Sequence, residues 1–182
     1  MKNKQIFEFS KNKTDGDSSL NDLIGGKGAN LAEMSKMGIP VPPGFTITTE
    51  VCNYFTENKK LPNNLHNETK KAVNNLESIS DKRFGGAGTP LLLSVRSGGK
   101  VSMPGMMDSV LNIGLNDSNV SQLAKAFNDE RFALDSYRRL IQMYSNVVLG
   151  VEHERFEAVL ANKKRRDNID SDADFNVDQL NW

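Results

Sequence analysis

A glycine-rich turn near the start of the chain has the residue types that bind a phosphate group. The sequence Gly25-Gly26-Lys27-Gly28 precedes residues 29–37, which have the composition of a short helix ended by Gly38. Backbone N–H groups at a helix N-terminus favour an anion, and the Lys27 side chain adds a mobile positive charge. The glycine spacing and the residue after Lys27 differ from those of a Walker A loop. By itself the motif is equally compatible with a purely structural turn.

Arg96 is a second candidate for binding phosphate. It follows the apolar run Leu91–Val95 and precedes a glycine-containing loop. A guanidinium at such a strand end can bind phosphate oxygens in bidentate geometry. The alternative is an ordinary solvated arginine, because most arginines lie at the surface.

The loop from Ser102 to Asp108 contains three methionines that follow no helical or strand period. Flexible, polarisable side chains of this kind suit an apolar cover over a bound ligand. Packing against a neighbouring part of the protein explains them equally well. The sequence leaves these two interpretations open.

Composition excludes several other classes of protein. The chain has 182 residues, with 23 basic and 23 acidic side chains, so its formal net charge is zero. Bulk attraction to nucleic acid or to an anionic membrane is therefore not predicted. No stretch approaches the roughly 20 apolar residues needed to span a bilayer, and the first 13 residues contain no secretory signal. A single cysteine, Cys52, fits a reducing compartment, and we predict a cytoplasmic protein.

Other candidate ligands are interpreted as structural. His66 and His153 lack companions with zinc-ligand spacing, and Cys52 is expected to be a packed thiol. The acidic run 170–174 resembles a calcium loop but has Phe175 where glycine is required. No metal ligand is predicted within the chain.

The pattern of apolar residues predicts an α+β fold. Strands are expected at 5–9, 45–48, 91–95 and around 111–115, the third buried on both faces. Helices are expected at 29–37, from residue 51, at 65–79, at 133–148 and at 152–166, with Thr49 as a cap. Residues 167–182 are polar and are predicted to be mobile unless something covers them. The expected domains are an amino-terminal lobe, 1–116, and a helical subdomain, 117–182.

Several blocks of the sequence together resemble the amino-terminal ATP-binding region of the pyruvate, phosphate dikinase family. They occur in family order and cover essentially the whole chain: GGKGANLAEM at 25–34, VPPGFTITTE at 41–50, SVRSG at 94–98, SMPGMMD at 102–108, LNIGLND at 111–117, and RFA and DSYRR at 131–139. The methionine loop is distinctive for this family. Small departures are Gly99-Lys100 and the glycine-rich connector 85–89.

The resemblance implies an ATP-grasp-like amino-terminal lobe, a mixed sheet with helices, followed by the helical subdomain. It implies transfer of a pyrophosphoryl group from ATP to a histidine on a separate domain, with Mg²⁺ between the phosphate oxygens. In the whole family reaction, ATP, phosphate and pyruvate give AMP, diphosphate and phosphoenolpyruvate. Lys27 and Arg96 would act as the catalytic phosphate contacts. The full set of implied nucleotide-binding residues is Gly25, Gly26, Lys27, Gly28, Arg96, Ser97, Gly98, Gly105, Met106, Met107 and Asp108.

Family members are several times longer than this chain. We therefore expect the metal ligands, the second ATP-grasp lobe, the phosphohistidine and the pyruvate site to lie mostly in a second chain or a missing segment, and the chain alone to be inactive. The alternative is a non-catalytic remnant or a protein-interaction module derived from the same domain.

Overall fold

The computed structural model describes residues 4–98 and 109–181 as a mixture of helices and small antiparallel sheets, which is an α+β composition. The strands are β1 Ile6–Phe9, β2 Gly44–Ile47, β3 Leu93–Arg96 and β4 Ser109–Ile113. The α-helices are α1 Asn21–Lys36, α2 Thr49–Asn58, α3 Leu65–Ser80, α4 Val120–Phe127, α5 Glu130–Val147, α6 His153–Asp167 and α7 Val177–Leu180.

The chain divides into two compact units. The first unit comprises Met1–Ser80 and Ser97–Met107, and the second comprises Asp81–Arg96 and Asp108–Trp182. The predicted domain boundary after residue 116 is a different division and stays a prediction.

In the first unit, strands β1 and β2 form an antiparallel pair on which the helices pack. Ile6 lies opposite Ile47 and Phe9 opposite Gly44. Both α1 and α3 contact β1, and α1 also contacts β2. One apolar cluster joins Ile6, Val51, Leu65 and Ala72, and another joins Ile24, Ala29 and Ala32. The predicted strands 5–9 and 45–48 are thus confirmed within one or two residues.

Helix α1 lies so close to β2 that one of its positions has no room for a side chain. A Cβ atom added to Gly28 would lie 2.7 Å from Thr46 Oγ1 and 2.9 Å from Thr46 Cγ2. Real Cβ atoms do not approach other atoms this closely, so either the helix or the threonine would have to move. Gly28 therefore sets the distance between α1 and the sheet.

The second unit is built around α5. Strand β4 and helix α4 pack on α5, and the buried core comprises Val110, Leu115, Leu123, Ala133 and Leu140. The predicted helices at 133–148 and 152–166 are confirmed as α5 and α6, and Gly150 follows α5 with a φ of 70°. A left-handed residue after a helix is a common stop signal and favours glycine.

The strand predicted at 91–95 is confirmed as β3, with its start two residues later, but the predicted burial on both faces is wrong. Strand β3 starts at Leu93, pairs with β4 in a two-stranded sheet, and leaves Val95 54% exposed. To be buried on both faces, a strand needs a covering layer on each face and a neighbouring strand along each edge. A two-stranded sheet gives each strand a neighbour along one edge only. Leu91 is buried, but it precedes the strand.

The predicted alternation of Leu111, Ile113 and Leu115 along one strand is also wrong. Val110 is the buried residue of β4, whereas Leu111 is exposed. Positive φ angles at Asn112 and Gly114 turn the backbone, and Leu115 enters the core after the strand has ended.

The tail was predicted to be mobile unless something covers it, and it is covered at Phe175 and Leu180. Phe175 is 1% exposed and packs with Leu160 and Leu180. The Arg131 guanidinium donates hydrogen bonds to the backbone carbonyls of Phe175, Asp172 and Ala173 at 2.8, 3.1 and 2.6 Å. Hydrogen bonds from a charged donor are stronger than neutral ones, and they hold the segment on α5.

We predict that Gly28→Ala destabilises the first unit by about 1–3 kcal/mol because the new methyl group overlaps Thr46. Thr46→Ala removes both of the closest atoms, so the double variant should lose less stability than the sum of the single variants. Urea unfolding of the four proteins measures this coupling. Strictly additive losses would mean that the close approach does not limit residue 28.

Candidate functional site

The glycine-rich turn lies inside α1, where it interrupts the helix. Gly25 has φ 68° and ψ 161°, a conformation accessible in practice only to glycine, and helical geometry resumes at Gly26. The segment after the break therefore has its own N-terminus, with Lys27 in its first turn. The sequence predicted that the helix starts at residue 29, which is too late, because glycines have low helix propensity and conceal the true start.

The Lys27 side chain connects two of the predicted site segments. Its Nζ donates to the Ser97 backbone carbonyl across 3.4 Å, at the long end of hydrogen-bond distances. The two residues are 70 positions apart in sequence. Both belong to the first unit, and Ser97 and Gly98 are exposed.

Thr49 fixes the stretch just before the glycine turn. Its hydroxyl donates to the Asp22 carbonyl at 2.8 Å and contacts the Leu23 carbonyl at 3.3 Å. The prediction that Thr49 caps α2 is wrong, because Thr48 occupies the N-cap position. The hydroxyl instead ties α2 to α1 two or three residues before Gly25. Sequence reasoning missed this role, because no local pattern links residues 22 and 49.

A second set of contacts braces α1 from the preceding loop. The Asp17 carboxylate accepts hydrogen bonds from the Ser19 hydroxyl and backbone N–H, and it pairs with Lys36 at 3.0 Å. These bonds, led by the Ser19 hydroxyl, lower the pKa of Asp17 to about 2. Glu33 accepts a further hydrogen bond from the Ser18 backbone N–H at 3.1 Å. The helix is thus held at its C-terminal turns as well as near Gly25.

Arg96 is the last residue of β3, in the second unit, and is exposed. Its predicted place at a strand end is confirmed. A Cβ added to Gly98, two residues later, would meet no heavy atom of the described residues within 4 Å. The predicted contacts at Gly105, Met106, Met107 and Asp108 lie outside the described residues.

The side chains of residues 4–98 and 109–181 form no cluster of three or more histidines, cysteines or acids able to hold a metal ion. Cys52 is exposed on α2, so its predicted burial as a packed thiol is wrong. Across the same residues, no helix is long and apolar enough to cross a membrane.

One shallow cavity of about 270 Å³ lies in the first unit, against the start of β1. It is lined by Gln5, Tyr54, Pro62, Asn63 and Asn64, and so includes none of the predicted phosphate contacts.

The candidate site is therefore the surface formed by the helix start at Gly26, the Lys27 side chain and the exposed Ser97-Gly98 backbone. A positive helix end with a lysine in its first turn attracts an anion.

A nucleotide-binding domain of one enzyme family matches this part of the chain. The family model described as "Pyruvate phosphate dikinase, AMP/ATP-binding domain" matches residues 21–83, which include the glycine turn and Thr49.

Whole-chain similarity leads to the same family. The chain is 49% identical over 178 residues to pyruvate, phosphate dikinase of Rickettsia conorii, covering 97% of this chain and 20% of that protein. It is 48% identical over 180 residues to the Rhizobium meliloti dikinase, covering 98% and 20%, and 44% identical over 178 residues to the Clostridium symbiosum dikinase, covering 97% and 20%.

The chain thus corresponds to the amino-terminal region of a pyruvate, phosphate dikinase, as the sequence motifs predicted. It spans about a fifth of the length of the curated relatives it matches.

We predict that Thr49→Val destabilises the chain by about 0.5–1.5 kcal/mol, because the carbonyls of Asp22 and Leu23 lose a donor. Thr56→Val is the matched control: the Thr56 hydroxyl donates to the Cys52 carbonyl one turn back in α2. That change should alter stability by about 0.5 kcal/mol or less. Chemical denaturation measures both, and equal losses would argue against the tie between the two helices.

A second prediction concerns the Asp17 carboxyl. Its pKa is lowered from 3.8 to about 2, so the stability it contributes is fully present above pH 3.8 and is lost as the pH falls towards 2. Carbon-detected NMR titration should report this pKa in the intact chain. Ser19→Ala should move the pKa back towards 3.8, whereas Ser18→Ala, which removes a hydroxyl that Asp17 does not bind, should leave it in place. An unshifted Asp17 in the original chain would contradict the hydrogen-bond assignment.

Proposed function

We propose that this chain is the ATP-binding portion of a pyruvate, phosphate dikinase. It would supply contacts to the ATP phosphates while a pyrophosphoryl group passes to a histidine on a separate domain. Extended similarity to dikinases supports the family assignment, and the family model supports nucleotide binding for residues 21–83.

One observation carries the assignment of the site. The Gly25 break starts a helix at the position where Lys27 projects from the first turn, and Lys27 Nζ lies 3.4 Å from the Ser97 carbonyl. This contact brings the glycine turn to the beginning of the loop that follows Arg96. Lys27 and Ser97, two of the residues that the family resemblance implies for nucleotide binding, thus contact each other within the first unit.

The proposed chemistry is positioning and charge neutralisation. Phosphoryl transfer spreads negative charge over equatorial oxygens, and fixed N–H donors and cations stabilise it. Lys27 and Arg96 would bind the ATP phosphates, with Gly25, Gly26 and Gly28 presenting backbone at the turn. Ser97, Gly98 and the loop that includes Gly105, Met106, Met107 and Asp108 would cover the nucleotide.

Magnesium enters this proposal as part of the substrate, Mg-ATP. The described side chains form no ion cage, so no step is assigned to a metal held by this chain. The carboxylate ligands would come from the remaining dikinase polypeptide. That polypeptide would also supply the second ATP-grasp lobe, the phosphohistidine and the pyruvate site.

The architecture proposed for the whole is an ATP-grasp-like lobe over residues 1–116 and a helical subdomain over 117–182. The cytoplasm is the proposed compartment.

The decisive test replaces the matched segment of the Rickettsia conorii dikinase with this chain and measures AMP formation. Lys27→Ala and Arg96→Ala should each lower the rate by about 100-fold or more, the usual cost of losing a preorganised donor to a reacting phosphate or oxyanion. Lys71→Ala on α3 and Arg155→Ala on α6 are matched controls at exposed positions and should retain activity. Unchanged turnover in either site variant would remove that residue from the site.

Calorimetry on the separate 182-residue chain tests binding without turnover. After a cooperative melt is verified, saturable Mg-ATP binding that Arg96→Ala weakens would support a phosphate role within this chain. An inactive chimera together with a folded chain that does not bind Mg-ATP would contradict the proposal and favour a non-catalytic module.

A further inference from the structure

The Thr49 hydroxyl bonds backbone carbonyls just before the helix break at Gly25. It donates to the Asp22 carbonyl at 2.8 Å and lies 3.3 Å from the Leu23 carbonyl. Gly25 follows with φ 68° and ψ 161°, and helical geometry resumes after it. The hydroxyl therefore contacts the end of the short helical segment that precedes the break.

The break explains why a donor from another helix is useful at this place. In a continuous α-helix, the Asp22 carbonyl would accept a hydrogen bond from the Gly26 N–H, four residues later. The backbone of Gly25 is not helical, so it interrupts this series of bonds. Carbonyls at a helix end are commonly bonded by side chains or water instead. Thr49 supplies such a side chain from α2.

The break also creates the helix start that carries Lys27. Backbone N–H groups in the first turn of a helix are the donors that can bind an anion. If Gly25 became helical, this start would merge with the preceding segment, and its donors would join a regular series of helix bonds. A hydroxyl that bonds the preceding carbonyls stabilises the broken form relative to a continuous helix.

Both partners of this contact lie beside buried residues of the first unit. Thr48, the N-cap of α2, is buried, and its backbone N–H donates to the Gln5 carbonyl at 3.0 Å. Val51 on α2 and Ile24 on α1 are also buried. A positioning group acts only if its own location is fixed. The Thr49 hydroxyl and the carbonyls that it bonds meet this requirement.

We propose that Thr49 is a positioning residue for the phosphate contact of Lys27. Its hydroxyl keeps the break at Gly25 open and so fixes the point at which the helix bearing Lys27 begins. Thr49 itself touches no substrate in this scheme. The inference rests on the proposed function for the role of Lys27, whereas the hold on the break depends on the hydrogen bonds of Thr49 alone.

The first measurement tests the hold on the break without any nucleotide. In the 182-residue chain, the Cα chemical shift of Gly25 reports the backbone conformation at the break. Thr49→Val keeps the shape of the side chain but removes the hydroxyl, so this shift should move towards its helical value. Thr49→Ser keeps the hydroxyl and should leave the shift in place. An unchanged Gly25 in Thr49→Val would overturn the proposal.

The second measurement is the rate of AMP formation by the Rickettsia conorii chimera at varied Mg-ATP concentration, far below its melting temperature. Thr49→Val should lower kcat/KM by about tenfold or more and raise KM, because a displaced phosphate contact is weakened. Partial unfolding would lower the apparent kcat and leave KM unchanged. Thr49→Ser should keep most of the activity.

The matched control is Thr56→Val on the same helix. The Thr56 hydroxyl donates to the Cys52 carbonyl within α2 at 3.0 Å. This variant removes a hydroxyl of the same kind without touching α1, so it should keep both the Gly25 shift and the kinetic constants. An equal loss of kcat/KM in Thr56→Val would assign the Thr49 effect to general weakening of α2.

A double-variant cycle with Lys27→Ala separates positioning from a general structural role. Because Thr49 acts through Lys27, adding Thr49→Val to Lys27→Ala should lower kcat/KM by about threefold or less. If the two losses multiply instead, Thr49 acts independently of Lys27 and the positioning role is wrong.

The positioning role and the proposed function fail in different ways. Full turnover by Lys27→Ala would contradict the phosphate role of Lys27, and the positioning role with it. A large loss in Lys27→Ala with none in Thr49→Val would contradict the positioning role alone. An inactive chimera would count against the proposed function, and the Gly25 shift would still decide whether Thr49 holds the break.

Discussion

The contact between Gly28 and Thr46 is the constraint on which the candidate site depends. It allows α1 to lie against β2 at a distance that no side chain at position 28 would permit. Lys27 is the neighbouring residue, so the height of its backbone above the sheet is set by this contact. The break at Gly25 then decides where the helical N–H groups begin. Two glycines thus have different tasks, one steric and one conformational, within a single turn of chain.

The remaining contacts of α1 keep this arrangement rigid. Thr49 ties the stretch before the break to α2, while Asp17 and Glu33 hold the loop that precedes α1 to its C-terminal half. A phosphate site gains from such rigidity, because donors that are already in place need no reorganisation when charge develops. Lys27 reaches from this fixed helix to the Ser97 carbonyl, at the start of the loop that the family resemblance places over the nucleotide.

The second unit is stabilised by contacts of its own C-terminal segment. Its last residues contribute to its own core through Phe175 and Leu180, and Arg131 fastens them to α5 through three carbonyls. The unit therefore covers one end of α5 with its own chain and leaves the other end apolar.

The sequence by itself determined the features that depend on local backbone chemistry. The glycine-rich turn, the helix stops at Gly38 and Gly150, the β1 and β2 strands and the long helices are readable from residue type and spacing, although the start of α1 is not. The family could also be identified, because its blocks are distinctive and occur in order. Roles assigned to Lys27 and Arg96 came from residue chemistry and that resemblance, and they stay proposals.

Tertiary structure alone decided which apolar residues are buried and which distant groups meet. Leu91–Val95 reads like a buried strand, yet β3 lies in a two-stranded sheet and Val95 is 54% exposed. Phe175 lies in a polar tail, yet it is almost fully buried. The bonds from Thr49 and Lys27 join positions 27 and 70 residues apart. The physical reason is that a backbone conformation is set by sterics within a few residues, whereas burial and long-range hydrogen bonds depend on which surfaces the whole chain brings together.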